Sequence, residues 1–312
     1  MTRRTKIVVV GIGGVGGYFG GLLAKRYQDS TTVEVVFVAR GEHLKQIQAN
    51  GLQVIHGELT FTAYPTLATD DVDAIGKADY ILLCTKSYDL EASIEQIKTC
   101  IANHTVILPL LNGVDSTDRT KRLLPHAMVL QGCVYIVSRL KKAGVVENKG
   151  HLQTLYFGGQ LVENEELQLL HDIMKDAGIE ATLSTNIATT IWEKFIFISP
   201  IATATSYFDS TVGKLVTDHG DAVKQLVREV LHLAAAKHIP VAADMEARVW
   251  NRLMSLPYET TSSMHSDYQS GKGKTEVHSL TGYVVKEGQQ LNVPTPTYAL
   301  MYEQLLKRTI KD

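Results

Sequence analysis

Apolar positions in the first 180 or so residues fall in short runs separated by stretches with helical spacing. The run 6–10 is β-branched at its last four positions, the pattern of a strand buried on both faces. Similar runs cover 33–38, 79–84, 105–108, 129–138, 152–158 and 179–183, and a hairpin is predicted over 52–55 and 60–64 around Gly57. Helical spacing lies between them, at 18–26, 42–50, 90–102, 116–124 and 163–177. This alternation predicts a parallel sheet with helices on its faces. From Asn186 onward the chain reads as nearly continuous helix. The segment 221–237 places Val223, Leu226, Val227, Val230, Leu231 and Ala234 on one face. Further helices are predicted over 244–254, 275–291 and 297–311, punctuated by Gly288, Pro294 and Pro296.

The first predicted strand runs directly into Gly11-Ile12-Gly13-Gly14-Val15-Gly16, and a helix follows. In that strand–turn–helix context G-x-G-x-x-G is a dinucleotide fingerprint. Gly11 permits the tight turn, Gly13 lets backbone approach a pyrophosphate, and Gly16 lets the helix pack close to the strand. The helix start then turns its free N–H groups toward the phosphates. Seven glycines between Gly11 and Gly21 argue against the alternative of a signal peptide behind Arg3-Arg4. The expected fold is α/β: an N-terminal Rossmann-type doubly wound sheet over 1–184, followed by an all-helical C-terminal domain over 185–312. A cleft between the two is the expected place for a site.

The second predicted strand ends at Ala39-Arg40-Gly41, where an NAD site usually carries a carboxylate. Glu34 sits at the wrong end of that strand. Arg40 offers a planar cation suited to a 2′-phosphate, which points to NADP; the alternative is an ordinary solvated arginine. The rule that ligands lie beyond the carboxyl ends of parallel strands singles out Lys86 and Asn112 as well.

The 312 residues carry a net charge of −2, so no electrostatic footprint for nucleic acid or an acidic membrane surface is present. The longest apolar candidate for a membrane span, 187–208, is interrupted by Glu193, Lys194 and Pro200. Cys84, Cys100 and Cys133 show no paired spacing, which suggests a reducing, cytoplasmic setting. The eleven histidines are scattered without metal-ligand spacing, and no metal is expected. Tyr207, Phe208, Tyr298 and Tyr302 are aromatic positions available either to a homodimer interface or to core packing.

Taken together, several separated motifs resemble the ketopantoate reductases (2-dehydropantoate 2-reductases), from Lys6 to about Leu306. They are the glycine turn, Cys84-Thr85-Lys86, Leu111-Asn112-Gly113, Trp192-Glu193-Lys194, Ser262-Ser263-Met264, Asp267, Thr275-Glu276, Gly282-Tyr283-Val284-Val285, Gly288 and Val293-Pro294-Thr295-Pro296. The resemblance implies reduction of a small-molecule 2-oxo acid by NADPH. Lys194 matches the general acid, since an ammonium can stabilise and protonate the oxygen of a ketone receiving hydride. Glu276 matches the glutamate that holds substrate oxygen and lysine in register, at the edge of the cofactor site. Ser263 matches the serine that binds the substrate carboxylate, an N-cap being its plainer use. Asn112 and Lys86 match residues near the nicotinamide end, with Asn112 also toward substrate.

This chain also departs from the family. Two family asparagines, four and eight residues beyond the lysine, are replaced by Ile198 and Ala202. Ser199 and Thr203 are polar but lie about 100° round an ideal helix, and Pro200 is placed to alter that register. The interval from Ser263 to Glu276 is one residue longer than the family pattern, and His278 replaces an aspartate. The expected reaction is ketopantoate to pantoate, in pantothenate biosynthesis. A different 2-oxo acid is the alternative, since a site without those asparagines selects less strongly for a hydroxylated substrate. A non-catalytic NADP-binding sensor or scaffold is a third reading, against which Lys194 and Glu276 speak.

Overall fold

A computed structural model describes residues 4–159, 164–271 and 273–309. The chain forms two compact units, Met1–Leu111 with Ser116–Ile187, and Asn112–Asp115 with Ala188–Asp312.

The first unit begins with β1 (Thr5–Val10), α1 (Gly14–Tyr27), β2 (Val33–Val38) and α2 (Gly41–Asn50). After these come β3 (Leu52–His56), β4 (Leu59–Ala63), β5 (Leu67–Thr69), β6 (Tyr80–Leu83), α3 (Leu90–Gln96), β7 (Val106–Pro109), α4 (Ser116–Leu123) and β8 (Met128–Val129). It closes with β9 (Gln131–Lys142), β10 (Val145–Gly158), α5 (Glu165–Asp176) and β11 (Glu180–Leu183). Six strands make a wholly parallel sheet in the order β5-β2-β1-β6-β7-β8. Ile7 and Val9 enter one core and Val8 and Val10 another, so β1 is buried on both faces.

A second sheet, ordered β11-β10-β3-β4 with β9 paired to β10, stands on the other side of α1. The strand read from sequence over 129–138 is divided: Val129 ends β8 of the parallel sheet, while 131–138 and 152–158 belong to the second sheet as parts of one long antiparallel hairpin. A register shift between Asn148 and Gln153 interrupts β10, and polar residues such as Lys141 and Lys142 end β9 before the two-residue turn Ala143-Gly144; both hide the pairing from a periodicity count.

The glycine run reflects this sandwich. A β-carbon on Gly20 would meet Phe37 and Val9 of the parallel sheet at 3.1 and 3.3 Å. One on Gly17 would lie 2.5 Å from Val146, and one on Gly21 2.7 Å from Val54, both in the second sheet. Small residues on two faces let α1 fit between two backbone layers.

The second unit holds α6 (Ile187–Phe208), α7 (Val212–Asp218), α8 (Gly220–Ala236), α9 (Met245–Ser255), α10 (Ser263–Gln269), α11 (Tyr283–Leu291) and α12 (Pro296–Thr309). The buried face of α8 includes Val223, Leu226, Val227, Val230, Leu233 and Ala234; Leu231 is only half-buried, since Leu233 takes the inward position. The helix predicted over 275–291 is broken in character: residues 278–282 form a π-turn before α11. The α6 helix runs on through Pro200. The predicted 163–177 helix starts at Glu165, capped by Asn164 Oδ1, and Glu163 and Lys311 lie outside the described residues. Tyr298 is fully buried and serves the core of its unit. Among the described residues no helix is long and apolar enough to cross a membrane.

Candidate active site and cofactor loop

In the first unit the turn after β1 has the geometry its glycines predict. Gly11 takes φ +88°, and its N–H donates to the Val38 carbonyl at 3.1 Å. A β-carbon there would lie 2.8 Å from Thr85 Cγ2, and one on Gly16 2.2 Å from the Gly11 carbonyl oxygen. Gly14 is closed off by Ser138 of β9 at 2.2 Å, whereas a β-carbon on Gly13 would meet nothing within 4 Å. Gly13 is the N-cap of α1, with no side-chain cap and no acidic residue in the first turn. Its N–H and those of Gly14, Val15 and Gly16 have no partner within α1. Next to this loop the Thr85 hydroxyl oxygen is buried without a partner among the described residues. Open space at one glycine, an uncapped helix start and an unused hydroxyl together fit a dinucleotide pyrophosphate.

Arg40 follows β2 by two residues and is 87% exposed along its side chain, 3.7 Å from the Asp89 carboxylate. Glu34 pairs with Lys6 at 3.1 Å, remote from the loop end of the strand. Lys86 follows β6 and is half-buried, at the N-cap of a 3₁₀ turn over Ser87–Asp89. Arg119 of α4 secures that turn. It grips Glu91 through two bonds of 2.7 Å and donates to the Ser87 carbonyl at 2.6 Å. This fork holds the Glu91 carboxyl below the usual glutamate range.

In the second unit, Lys194 lies two turns into α6 and is half-buried. Its ammonium donates to Asn112 Oδ1 at 2.8 Å, across 82 positions of sequence. Asn112 reaches it because the short segment Asn112–Asp115 packs with the helical unit. Gly113, at φ +104°, lets that segment pass Ser279, whose carbonyl would lie 3.5 Å from a β-carbon there. Glu276 stands just before the π-turn and is 2% exposed; its carbonyl accepts from the Ser279 and Leu280 amides at 3.1 and 3.0 Å. Phe195 and Tyr283 meet edge to face at 5.7 Å, fixing the third turn of α6 against the start of α11.

Ser263 is the first residue of α10 and is exposed. The cap is its neighbour: Ser262 Oγ accepts from the His265 amide at 3.0 Å, which leaves the Ser263 hydroxyl outside that role. The Ser262 hydroxyl also bonds Thr205 of α6 at 2.7 Å, and His265 bonds Thr261 and, at 2.7 Å, Asp209. The segment bearing Ser263 is therefore tied to the helix bearing Lys194. Sequence inspection missed Ser262, Thr205 and His265 in this role, although a serine pair before a short helix is a visible capping signal.

Ile198 is half-buried and Ala202 is 3% exposed, one and two turns beyond Lys194. Ser199 is committed elsewhere, to the Leu280 carbonyl at 3.0 Å and Tyr298 at 2.7 Å, and Thr203 to Thr281 at 2.8 Å. Neither replaces a polar group on the Lys194 face. His278 bonds the Tyr302 hydroxyl at 2.7 Å on the exposed side of the π-turn.

Comparison with known proteins matches residues 7–160 to the model described as ketopantoate reductase PanE/ApbA and residues 186–309 to that of its C-terminal part. An uncharacterized oxidoreductase, YkpB, from Bacillus subtilis is 29% identical over 96% of this chain and 97% of its own. A 2-dehydropantoate 2-reductase from Streptococcus pyogenes is 26% identical over 96% of both chains. The crystal structure of 2-dehydropantoate 2-reductase from Porphyromonas gingivalis, 37% identical, superposes with a TM-score of 0.86 over 97% of this chain and 100% of that one. The glycine loop and the helical unit thus occur together in known reductases, and this chain belongs to the ketopantoate reductase family, oxidoreductases that act on a CH–OH group.

Proposed function

We propose that this protein reduces the 2-oxo group of ketopantoate to give pantoate, with NADPH as reductant, and so serves pantothenate biosynthesis in the cytoplasm. The observation that carries the reading is the 2.8 Å bond from Lys194 to Asn112. That bond takes one of the three ammonium N–H groups and sets the direction of the Lys194 side chain. NADPH, when bound, supplies the hydride. Gly13 and the open helix start receive the pyrophosphate, Arg40 receives the 2′-phosphate, and Lys86 lies toward the nicotinamide end. Lys194 faces the oxo oxygen, stabilises the negative charge growing there, and gives it a proton. Glu276 orients that pair from a nearly dry position, and the Ser263 hydroxyl, exposed at the head of α10, holds the substrate carboxylate.

A second reading keeps this chemistry and changes the substrate. Ile198, half-buried, and Ala202, buried, put apolar side chains on the Lys194 side of α6, and Ser199 and Thr203 are spent inside the helical core. That apolar side favours a 2-oxo acid without a terminal hydroxyl. The test is NADPH oxidation with ketopantoate beside a panel of other 2-oxo acids, run on wild type and Lys194→Ala. Loss of roughly 10²–10⁴-fold in kcat is the expectation for a missing general acid. Turnover within about threefold of wild type would remove Lys194 from that role. A preference of orders of magnitude for ketopantoate supports the first reading; a preferred acid lacking the hydroxyl makes Ile198 and Ala202 the specificity residues.

A further inference from the structure

His43 stands on α2, half-buried, between two backbone groups far apart in sequence. Its Nε2 lies 2.7 Å from the Ile12 carbonyl oxygen and its Nδ1 lies 2.9 Å from the Gly144 amide nitrogen. A backbone amide can only donate, so Nδ1 carries the lone pair. Nε2 therefore carries the hydrogen and donates to Ile12. A single neutral tautomer satisfies both partners, and burial holds the ring below the usual histidine range.

The Gly144 end is a fixed anchor. Gly144 occupies the β9–β10 turn at φ +74°, and its carbonyl accepts from the Gln53 amide of β3 at 2.9 Å. A β-carbon there would lie 2.9 Å from Gln46 on α2. The Ile12 end is the loose one, since the Ile12–Gly13 peptide is flanked by glycines whose backbone torsions are permissive. In a trans peptide the carbonyl and the following N–H point in opposite directions. Gripping the Ile12 carbonyl on the α2 side therefore turns the Gly13 N–H away from α2, at the glycine where the surroundings are open.

We propose that His43 is a positioning residue of the cofactor loop: it holds the Ile12–Gly13 peptide in the orientation that offers the Gly13 N–H to the cofactor pyrophosphate. This rests on the NADPH reading above. Three variants separate the bond to Ile12 from general support. His43→Gln places an amide NH₂ where Nε2 stood and keeps the donor to Ile12. His43→Asn reaches only the Nδ1 position and keeps the acceptor for Gly144. His43→Ala removes both.

The readouts on the full chain are the Kd for NADPH by fluorescence titration, KM for NADPH against kcat, and the thermal midpoint without ligand. Asn and Ala variants are expected to bind NADPH about 5- to 10-fold more weakly, the worth of one net hydrogen bond, with KM raised equally and kcat within about twofold. The Gln variant is expected to recover wild-type Kd to within about twofold while its midpoint falls as far as that of Asn. An Asn variant that binds like wild type, a Gln variant no better than Asn, or Kd losses that track the midpoints would overturn the proposal. Parallel titration with NADH distinguishes the two readings. If wild type prefers NADH, the NADPH assignment falls and the order of the variants still decides on His43. Wild type that binds neither overturns both.

Discussion

Alanine at Gly13 and alanine at Gly16 should break different things, although both remove a glycine from the same fingerprint. At Gly16 the added β-carbon would stand 2.2 Å from the Gly11 carbonyl oxygen and 2.8 Å from Cys84 Cβ. Ordinary contact lies near 3.5 Å, so the carbonyl would have to retreat by about 1 Å. That carbonyl belongs to a turn at φ +88° whose amide is bonded to Val38, and Cys84 is buried, so neither neighbour yields easily. Overpacking of this kind costs about 1–3 kcal/mol, or roughly 2–12 °C in the midpoint of a unit this size. At Gly13 the β-carbon meets nothing within 4 Å, at φ −86° and ψ −149°. With no clash to relieve, stability should change less than at Gly16, by within about 1 kcal/mol in either direction. The same methyl group fills the space through which a pyrophosphate would approach. Loss of one charge-assisted hydrogen bond, about 1.5–3 kcal/mol, weakens NADPH binding roughly 10- to 150-fold. Thermal melts by circular dichroism and NADPH fluorescence titrations on both variants decide the matter. A Gly13→Ala protein that binds within about threefold of wild type, or a Gly16→Ala protein that melts with wild type, would refute this account.

Two further outcomes follow from charges in the first unit. Arg40→Ala should weaken NADPH binding by roughly tenfold and leave NADH binding within about twofold, because only the former carries the 2′-phosphate; equal losses for both would show that Arg40 is a plain surface residue. The Arg119 fork depresses the Glu91 pKa, so its contribution is complete above the ordinary glutamate range and disappears as pH falls through the lowered value. Glu91 is half-exposed, and solvent screening keeps that contribution under about 1 kcal/mol. Glu91→Gln should therefore lower the midpoint by up to about 4 °C near neutrality and by less at acid pH, measured by melts across that range. A constant offset at every pH would exclude the ion pair as its source.

How far the fold could be read from the chain depended on whether a residue's reason is local. Ile7 to Val10 announce a doubly buried strand because each residue meets a core directly across its own position. The roles of Gly11 and Gly16 are local too, since the turn and the first helical turn touch each other. Gly17 and Gly21 have a reason that lies more than 30 residues away, in Val146 and Val54 of the second sheet, and no periodicity around residue 20 contains it. His43 is hidden for the same cause: both of its partners are backbone groups, which carry no residue identity to search for.

The helical unit draws the same line through the chemistry. Lys194 in isolation is one of 31 basic residues, and only its motif singled it out. What the fold adds is the direction of its ammonium, given by Asn112 from a segment 82 residues earlier that leaves the sheet unit to pack among helices. The departures at Ile198 and Ala202 were legible as substitutions, but their weight depended on whether Ser199 and Thr203 could stand in. Both hydroxyls are fully buried against the π-turn and α12, so in a helix that runs on through Pro200 neither of them compensates. The loss of polarity on that face is therefore a property of the folded chain. Restoring it with Ile198→Asn should move preference toward hydroxylated oxo acids only if that face lines the substrate site, which makes the ratio of kcat/KM for ketopantoate to that for an unhydroxylated analogue the quantity to follow.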